Sequence, residues 1–352
     1  MSKAMMVKDS GSAALPLEFG ERLVAWQKRH GRHELPWQKT RDPYRVWLSE
    51  IMLQQTQVTT VLGYYQRFLE RFPTVADLGA ASLDEVLALW AGLGYYSRAR
   101  NLHACARAVA ARPDGRFPPT AAELQELPGI GRSTAAAVAA FCFGERIAIL
   151  DGNVKRVLGR LLAFPGDLAS SAQEKLLWQH AQALLPARDI ESYTQGLMDL
   201  GATVCTPRSP QCLICPAESL CAGRKTGEPT QFPIKTRKLK RSRRENWWLW
   251  LEHEGQVLLQ QRPDTGVWAG LWSLPLFEDE AQLQSHAQTL GATPDVLPRI
   301  EHALTHLDWV LHPRRAVLSP EAAQRAGQQG QWVAREALAS YGLPAPLKKL
   351  LG

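Results

Sequence analysis

The run Leu127-Pro128-Gly129-Ile130-Gly131-Arg132-Ser133-Thr134-Ala135-Ala136-Ala137-Val138 decides the fold. Two glycines one residue apart let a backbone turn tightly and approach a partner closely. The alanine-rich run from Ser133 reads as a helix, and Thr120 with Glu123 forms a capping pair that opens the helix before the turn. Main-chain N–H groups at Gly129 and Gly131, beside a helix N-terminus, suit an anion such as a DNA phosphate. An ordinary helix-to-helix turn would look the same in isolation.

Upstream of this turn the pattern is helical. Asp42-Pro43 sets a capping side chain before a proline at the first helical position, and Val46, Trp47, Ile51, Val58, Val61, Leu62, Tyr65 and Phe68 follow at helical spacing. Ser82 with Glu85 opens a further helix. Downstream, Lys225 to Arg244 holds eight basic residues against Glu228, a net +7 that equals the charge of the whole 352-residue chain. That stretch, with Pro229 and Pro233, is the expected domain boundary, either a solvated extended linker or a surface for a polyanion. Beyond it, 246–251 and 256–261 read as strands, 271–277 continues the pattern, and 281–290 reads as a helix. The expected architecture is a flexible N-terminus at 1–15, an all-α domain at 16–224, a basic linker at 225–245 and a smaller α/β domain at 246–352.

Chemistry-bearing residues fall in three places. Cys205, Cys212, Cys215 and Cys221 lie within 17 residues, as C-x6-C-x2-C-x5-C. Four thiolates from one loop suit a zinc ion or an iron–sulfur cluster, with disulfides as the plain alternative. Cys105 and Cys142 sit in apolar helical patterns as core residues. Asp151, in Leu150-Asp151-Gly152-Asn153-Val154, is either a helix cap or a functional carboxylate. Glu50, flanked by Trp47, Ile51 and Met52, would be desolvated and held protonated.

The segment 48–58, the L-P-G-I-G hairpin, the L-D-G-N-V segment and the four-cysteine loop, in that order, resemble the helix-hairpin-helix DNA glycosylases, within the endonuclease III superfamily. Among these the chain resembles the MutY class, which removes adenine opposite 8-oxoguanine or guanine. The resemblance implies a [4Fe-4S] cluster on the four cysteines. It implies Glu50 as the general acid, Asp151 as the stabiliser of the sugar cation, Asn153 as its orienting neighbour, and Ser133 where endonuclease III has its Schiff-base lysine. A serine cannot form an imine, so base removal without a dedicated lyase step is expected. Gln55, Leu93 and Tyr95 would enter the duplex, the hairpin glycines Gly129 and Gly131 would hold its backbone, and Trp37 and Gln195 would line the adenine pocket.

The C-terminal part resembles a Nudix domain through Val257 to Pro263 and Gly270 to Pro275, but lacks the R-E-x-x-E-E helix that a working hydrolase needs for magnesium. It is therefore expected to recognise the lesion, through Leu304, Thr305 and His306 where the class has phenylalanine, serine and histidine. The expected partner is mispaired double-stranded DNA, with repair or replication proteins as further candidates. No run approaches the ~18 to 20 apolar residues of a membrane span, and no secretory signal is read at the start. A monomer in the reducing bacterial cytoplasm, associated with the nucleoid, is expected. An endonuclease III-like pyrimidine glycosylase and lyase, a noncatalytic lesion-binding protein and a nucleotide-pool hydrolase are the competing readings.

Overall fold

The computed structural model describes residues 14–236 and 240–352. Most of the expected flexible N-terminus, and Arg237 and Lys238 of the basic stretch, lie outside them. The chain falls into two compact units, Met1–Ile51 with Arg112–Lys238 and Met52–Ala111 with Leu239–Gly352. No helix of the described residues is long and apolar enough to cross a membrane.

The first unit is helical: Ala14–His30, Pro43–Leu53, Ala121–Leu124, Arg132–Phe143, Gly152–Leu161, Ser171–Ala183 and Ile190–Thr203 are its main helices. Phe19, Leu23, Ala136, Ala137, Leu158, Tyr193 and Leu197 meet in one core, against which Cys205, Cys215 and Cys221 pack. Small side chains on Arg132–Phe143 let its neighbours approach closely, since Ala135 to Ala140 are all buried. Asp42 caps the Pro43 helix as expected, its carboxylate accepting from the Tyr44 N–H at 2.9 Å. The helix opened by Thr120 has only four residues, because Leu127-Pro128 follows at once.

The expected solvated linker is corrected in part. Its apolar residues dock on the first unit: Ile234 O accepts from Leu168 N at 3.0 Å, Phe232 O from Arg160 Nε at 3.1 Å, and Pro233 packs on Gly159. Burying Phe232 and Pro233 outweighs the solvation of the charges around them.

The second unit joins helices Val58–Arg71, Val75–Ala80, Leu83–Trp90 and Tyr96–Ala110 with an eight-stranded sheet. Its strands are β1 (Ser242–His253), β2 (Gln256–Gln261), β3 (Trp272–Ser273), β4 (Leu276–Phe277), β5 (Asp295–Val296), β6 (Ile300–Ala303), β7 (Leu307–Val317) and β8 (Gln331–Ala334). β1 and β7 run parallel over eleven residue pairs, and every other pairing is antiparallel. The expected 271–277 strand divides at Leu274-Pro275 into β3 and β4, and the expected helix spans Glu280–Thr289. Trp268 is stacked on Trp309 at 4.3 Å and on Trp248 at 5.8 Å, all three buried. Within the unit, Asp84 accepts from Trp272 Nε1 at 3.2 Å and Ala269 O accepts from Arg100 at 2.6 Å.

Candidate active site and nucleic-acid interface

Glu50 and Asp151 both belong to the first unit, close enough for the Asp151 charge to act on Glu50. Glu50 rides on the penultimate turn of Pro43–Leu53, between buried Trp47 and Ile51. Its side chain keeps a limited opening to solvent, but burial and then the Asp151 charge push its carboxyl up to about 8. It is protonated at neutral pH, as a general acid requires.

Asp151 is a helix cap, as the first of its two readings has it. It is the N-cap of Gly152–Leu161, accepting from Val154 N at 2.7 Å, and it is a desolvated carboxyl beside Glu50. Burial raises its pKa, opposed by the N–H groups of Val154 and Asn153 and by the charges of Arg156 and Lys155. Two carboxyls are thereby driven apart in acidity, Glu50 by burial without such compensation and Asp151 with it.

Ser133 holds this arrangement from the hairpin side. Its Oγ accepts from Leu150 N at 3.1 Å, tying the start of Arg132–Phe143 to the residue before Asp151. Asn153 gives its side-chain oxygen to Arg156 at 2.8 Å, and the same guanidinium donates to Gly201 O and Cys205 O. Lys155, beside them in sequence, pairs with Glu174 at 2.8 Å. Trp37 is buried, and Gln195 donates to Asp199 at 3.0 Å, a fully buried carboxylate that also binds Arg32.

Nothing in the sequence singled out Gln38. Both atoms of its amide are buried and have no hydrogen-bond partner, next to Trp37 on the short Pro36–Gln38 turn. A buried unpaired amide is unfavourable and stands ready for a ligand that offers one donor and one acceptor. Cys142 is half-buried, and burial, ahead of the charges of Asp42, Glu191 and Glu50, pushes its thiol up to about 12.

At the hairpin, Gly129 has φ 73°, a conformation that favours glycine, and Ile130 N donates to Leu127 O at 3.2 Å. Gly131 needs no such freedom, since it caps the helix at φ −81° and a Cβ there would meet open space. Both glycines are exposed, and they lead into the start of a twelve-residue helix. That is the arrangement an anion needs.

The four cysteines are free thiols and half-buried. The charge of each of the other three acts on Cys215, so they share one locality. Arg160 Nη1 donates to Cys205 Sγ at 3.4 Å, and Cys221 Sγ lies 3.4 Å from Arg160 O. Among the described residues, no three His, Cys, Asp or Glu side chains converge tightly enough for a single ion. Four soft sulfur donors from one loop, with Arg156 and Arg160 bonded beside them, are the donor set that an iron–sulfur cluster takes.

In the second unit, Gln55 and Tyr95 are exposed and both have positive φ, 56° and 50°. Leu93, expected beside them, is instead packed at 5% exposure. The Leu304-Thr305-His306 loop joins β6 to β7, with Thr305 and His306 exposed and Leu304 half-buried. Thr305 Oγ1 shares a 2.6 Å hydrogen bond with the Tyr95 hydroxyl. Of the acidic run Glu278-Asp279-Glu280, Asp279 caps Glu280–Thr289 and Glu280 pairs with Arg314 at 2.7 Å.

Residues 48–182 match the model of the HhH-GPD superfamily of base excision DNA repair proteins, and residues 246–352 match that of the NUDIX domain. An adenine DNA glycosylase of Buchnera aphidicola subsp. Baizongia pistaciae is 35% identical over 341 residues, covering 95% of this chain and 96% of its own. One from Homo sapiens is 38% identical over 352 residues, covering 84% of this chain and 64% of its own. A thermostable thymine-DNA glycosylase structure aligns at TM-score 0.53 and 30% identity, over 59% of this chain and 95% of its own. An endonuclease III captured as a covalent DNA intermediate shares the fold at TM-score 0.50 and 24% identity, over 59% of this chain and 94% of its own. With a relative 35% identical across 95% of its length and two matched domains, the chain belongs to the adenine DNA glycosylase family.

Proposed function

We propose that this protein hydrolyses the N-glycosidic bond of adenine mispaired with 8-oxoguanine or guanine in double-stranded DNA, without a lyase step. The observation that carries the reading is the Glu50–Asp151 pair, one carboxyl pushed up to about 8 beside another held by two main-chain N–H groups. Glu50 donates its proton to N7 of adenine, and the C1′–N9 bond breaks with its electron pair going to the base. The ionised Asp151 faces the positive charge that forms on the sugar. Water then adds to C1′ and returns a proton to the Glu50 carboxylate, leaving free adenine and an abasic site. The orphaned Gln38 amide supports recognition of adenine, since glutamine pairs donor and acceptor with an adenine edge.

Ser133, occupied with Leu150 N and unable to form an imine, supports the absence of strand cleavage. Gln55 and Tyr95 would enter the duplex and offset the few kcal/mol of unstacking. Leu93 would have to leave its packing to join them. The hairpin N–H groups would bind phosphate, and Thr305 and His306 would meet the base opposite adenine. Cys205, Cys212, Cys215 and Cys221 would hold a [4Fe-4S] cluster, which supplies a cross-link for the loop; iron content and visible absorption check it. Single-turnover assays on 8-oxoguanine:A, G:A and oxidised-pyrimidine duplexes, with strand breaks scored before and after alkali, test the whole reading. Adenine release with breaks only after alkali is expected; release of only the pyrimidine, with breaks before alkali, overturns it.

A further inference from the structure

Arg98 sits in the second unit on Tyr96–Ala110, where a basic residue near glycine and tyrosine suggests a phosphate contact. Its side chain points the other way. Nη1 donates to Met52 O at 2.9 Å and Gln54 O at 2.7 Å. Nη2 donates to Thr56 Oγ1 at 3.2 Å, Leu93 O at 3.2 Å and Gly94 O at 3.1 Å. The guanidinium also lies over the rings of Trp90 and Tyr95, and the residue is 8% exposed. Burial lowers its pKa only to about 10, so it stays charged at neutral pH.

Two of those carbonyls have a particular place in the chain. Gln54 O belongs to the peptide that leads into Gln55, and Gly94 O to the peptide that leads into Tyr95. Gln55 and Tyr95 are non-glycine residues in the left-handed region, a conformation that L-residues adopt only when their surroundings enforce it. One planar, charged fork therefore pins the peptide ahead of each strained residue.

We infer that Arg98 is a positioning residue that sets the left-handed conformations of Gln55 and Tyr95 together, holding both side chains ready to unstack the target base. The inference rests on the glycosylase reading for its purpose, and on the second unit alone for its geometry. Loss of the fork leaves the chemistry of Glu50 and Asp151 untouched but removes preorganisation of the two side chains.

The test compares the holoenzyme with Arg98→Lys on two substrates, a paired 8-oxoguanine:A duplex and one whose adenine lies unpaired in a bubble. Arg98→Lys should slow single-turnover release from the paired duplex roughly ten- to hundredfold, the range for charged hydrogen bonds, and leave the bubble substrate near wild type. Equal loss on both substrates, or no loss on the paired one, overturns the inference. If Arg98→Lys does not fold, Thr56→Val, which removes one acceptor of the fork, should show the same selective loss at smaller size, and equal loss on both again overturns it. Should the wild type release no adenine from either substrate, the glycosylase reading fails by itself. Fluorescence of 2-aminopurine beside the target then reads unstacking directly, and Arg98→Lys must still diminish it.

Discussion

Replacing Glu50 with glutamine should abolish base release and stabilise the protein, by an amount that grows with pH. Raising this carboxyl from 4.5 to about 8 means that ionising it costs roughly 5 kcal/mol more in the folded chain than in the unfolded one. Below pH 4.5 the group is protonated in both states and the cost is absent. Between 4.5 and 8 only the unfolded chain ionises, which draws the equilibrium toward unfolding, so stability is lost as pH rises through this window. At pH 7 the loss is about 3 kcal/mol, and above the folded value it levels off near 5 kcal/mol. Glutamine, of similar shape and never charged, escapes it. Denaturant titrations of wild type and Glu50→Gln from pH 4.5 to 9 should therefore give a gap that widens from near zero. A gap that stays flat across that range would refute the desolvated, protonated Glu50 on which the mechanism depends. Single-turnover rates supply the companion measurement: activity should fall above about pH 8 as Glu50 loses its proton, and again at acid pH, above the ordinary aspartate value, as Asp151 gains one.

Three shorter predictions follow from individual contacts. Ser133→Lys exchanges the hydroxyl that accepts from Leu150 N for an amine beside Asp151; it should cost about 1 kcal/mol of stability and yield a borohydride-trapped DNA adduct that the wild type does not form. Thr305→Val removes the partner of the Tyr95 hydroxyl, and should cut the preference for 8-oxoguanine:A over G:A by roughly two- to tenfold while leaving G:A release unchanged. Gln38→Leu should relax discrimination between adenine and purine, which lacks the exocyclic amine, by about tenfold or more; unchanged discrimination would mean that the buried amide meets no base edge.

The features legible in the sequence were those that local chemistry writes directly. Asp42 before Pro43 and Ser82 before Leu83 each mark a helix start, because a short side-chain oxygen satisfies an exposed N–H wherever it occurs. β2 occupies 256–261 as expected, because a short apolar run, Val257 to Leu259, follows directly on the Glu254-Gly255 turn. The capping box at Thr74 and Asp77 follows the same rule and was readable, although nothing drew attention to it. β7 was not legible: it carries Pro313 and four charged or imidazole side chains, and is held as a strand by pairing with β1, far away in sequence, as well as with β5 and β6.

The site divides along the same line. Spacing singles out the four cysteines, and the resemblance to the helix-hairpin-helix glycosylases singles out Glu50 and Asp151. What the groups are bonded to depends on which segments fold together, as Arg98 and Asp151 both show. Arg98 stands in a stretch rich in aromatics, glycine and arginine that reads as a DNA-contacting loop, yet its guanidinium finds five acceptors inside the protein, a better return on desolvation than one phosphate outside. Asp151 was weighed as cap or catalyst, and it is the cap: burial raises its carboxyl while the main-chain donors that make it a cap oppose the rise, whereas Glu50, lacking such bonds, is pushed up to about 8. A helix start therefore sets the difference in acidity between two carboxyls, and Ser133, bonded to the residue before that start, fixes where the anion sits. Substituting Ser133 should then displace Asp151 as well as change the chemistry at its own position, so any lyase gained by a lysine there should come with slower base release.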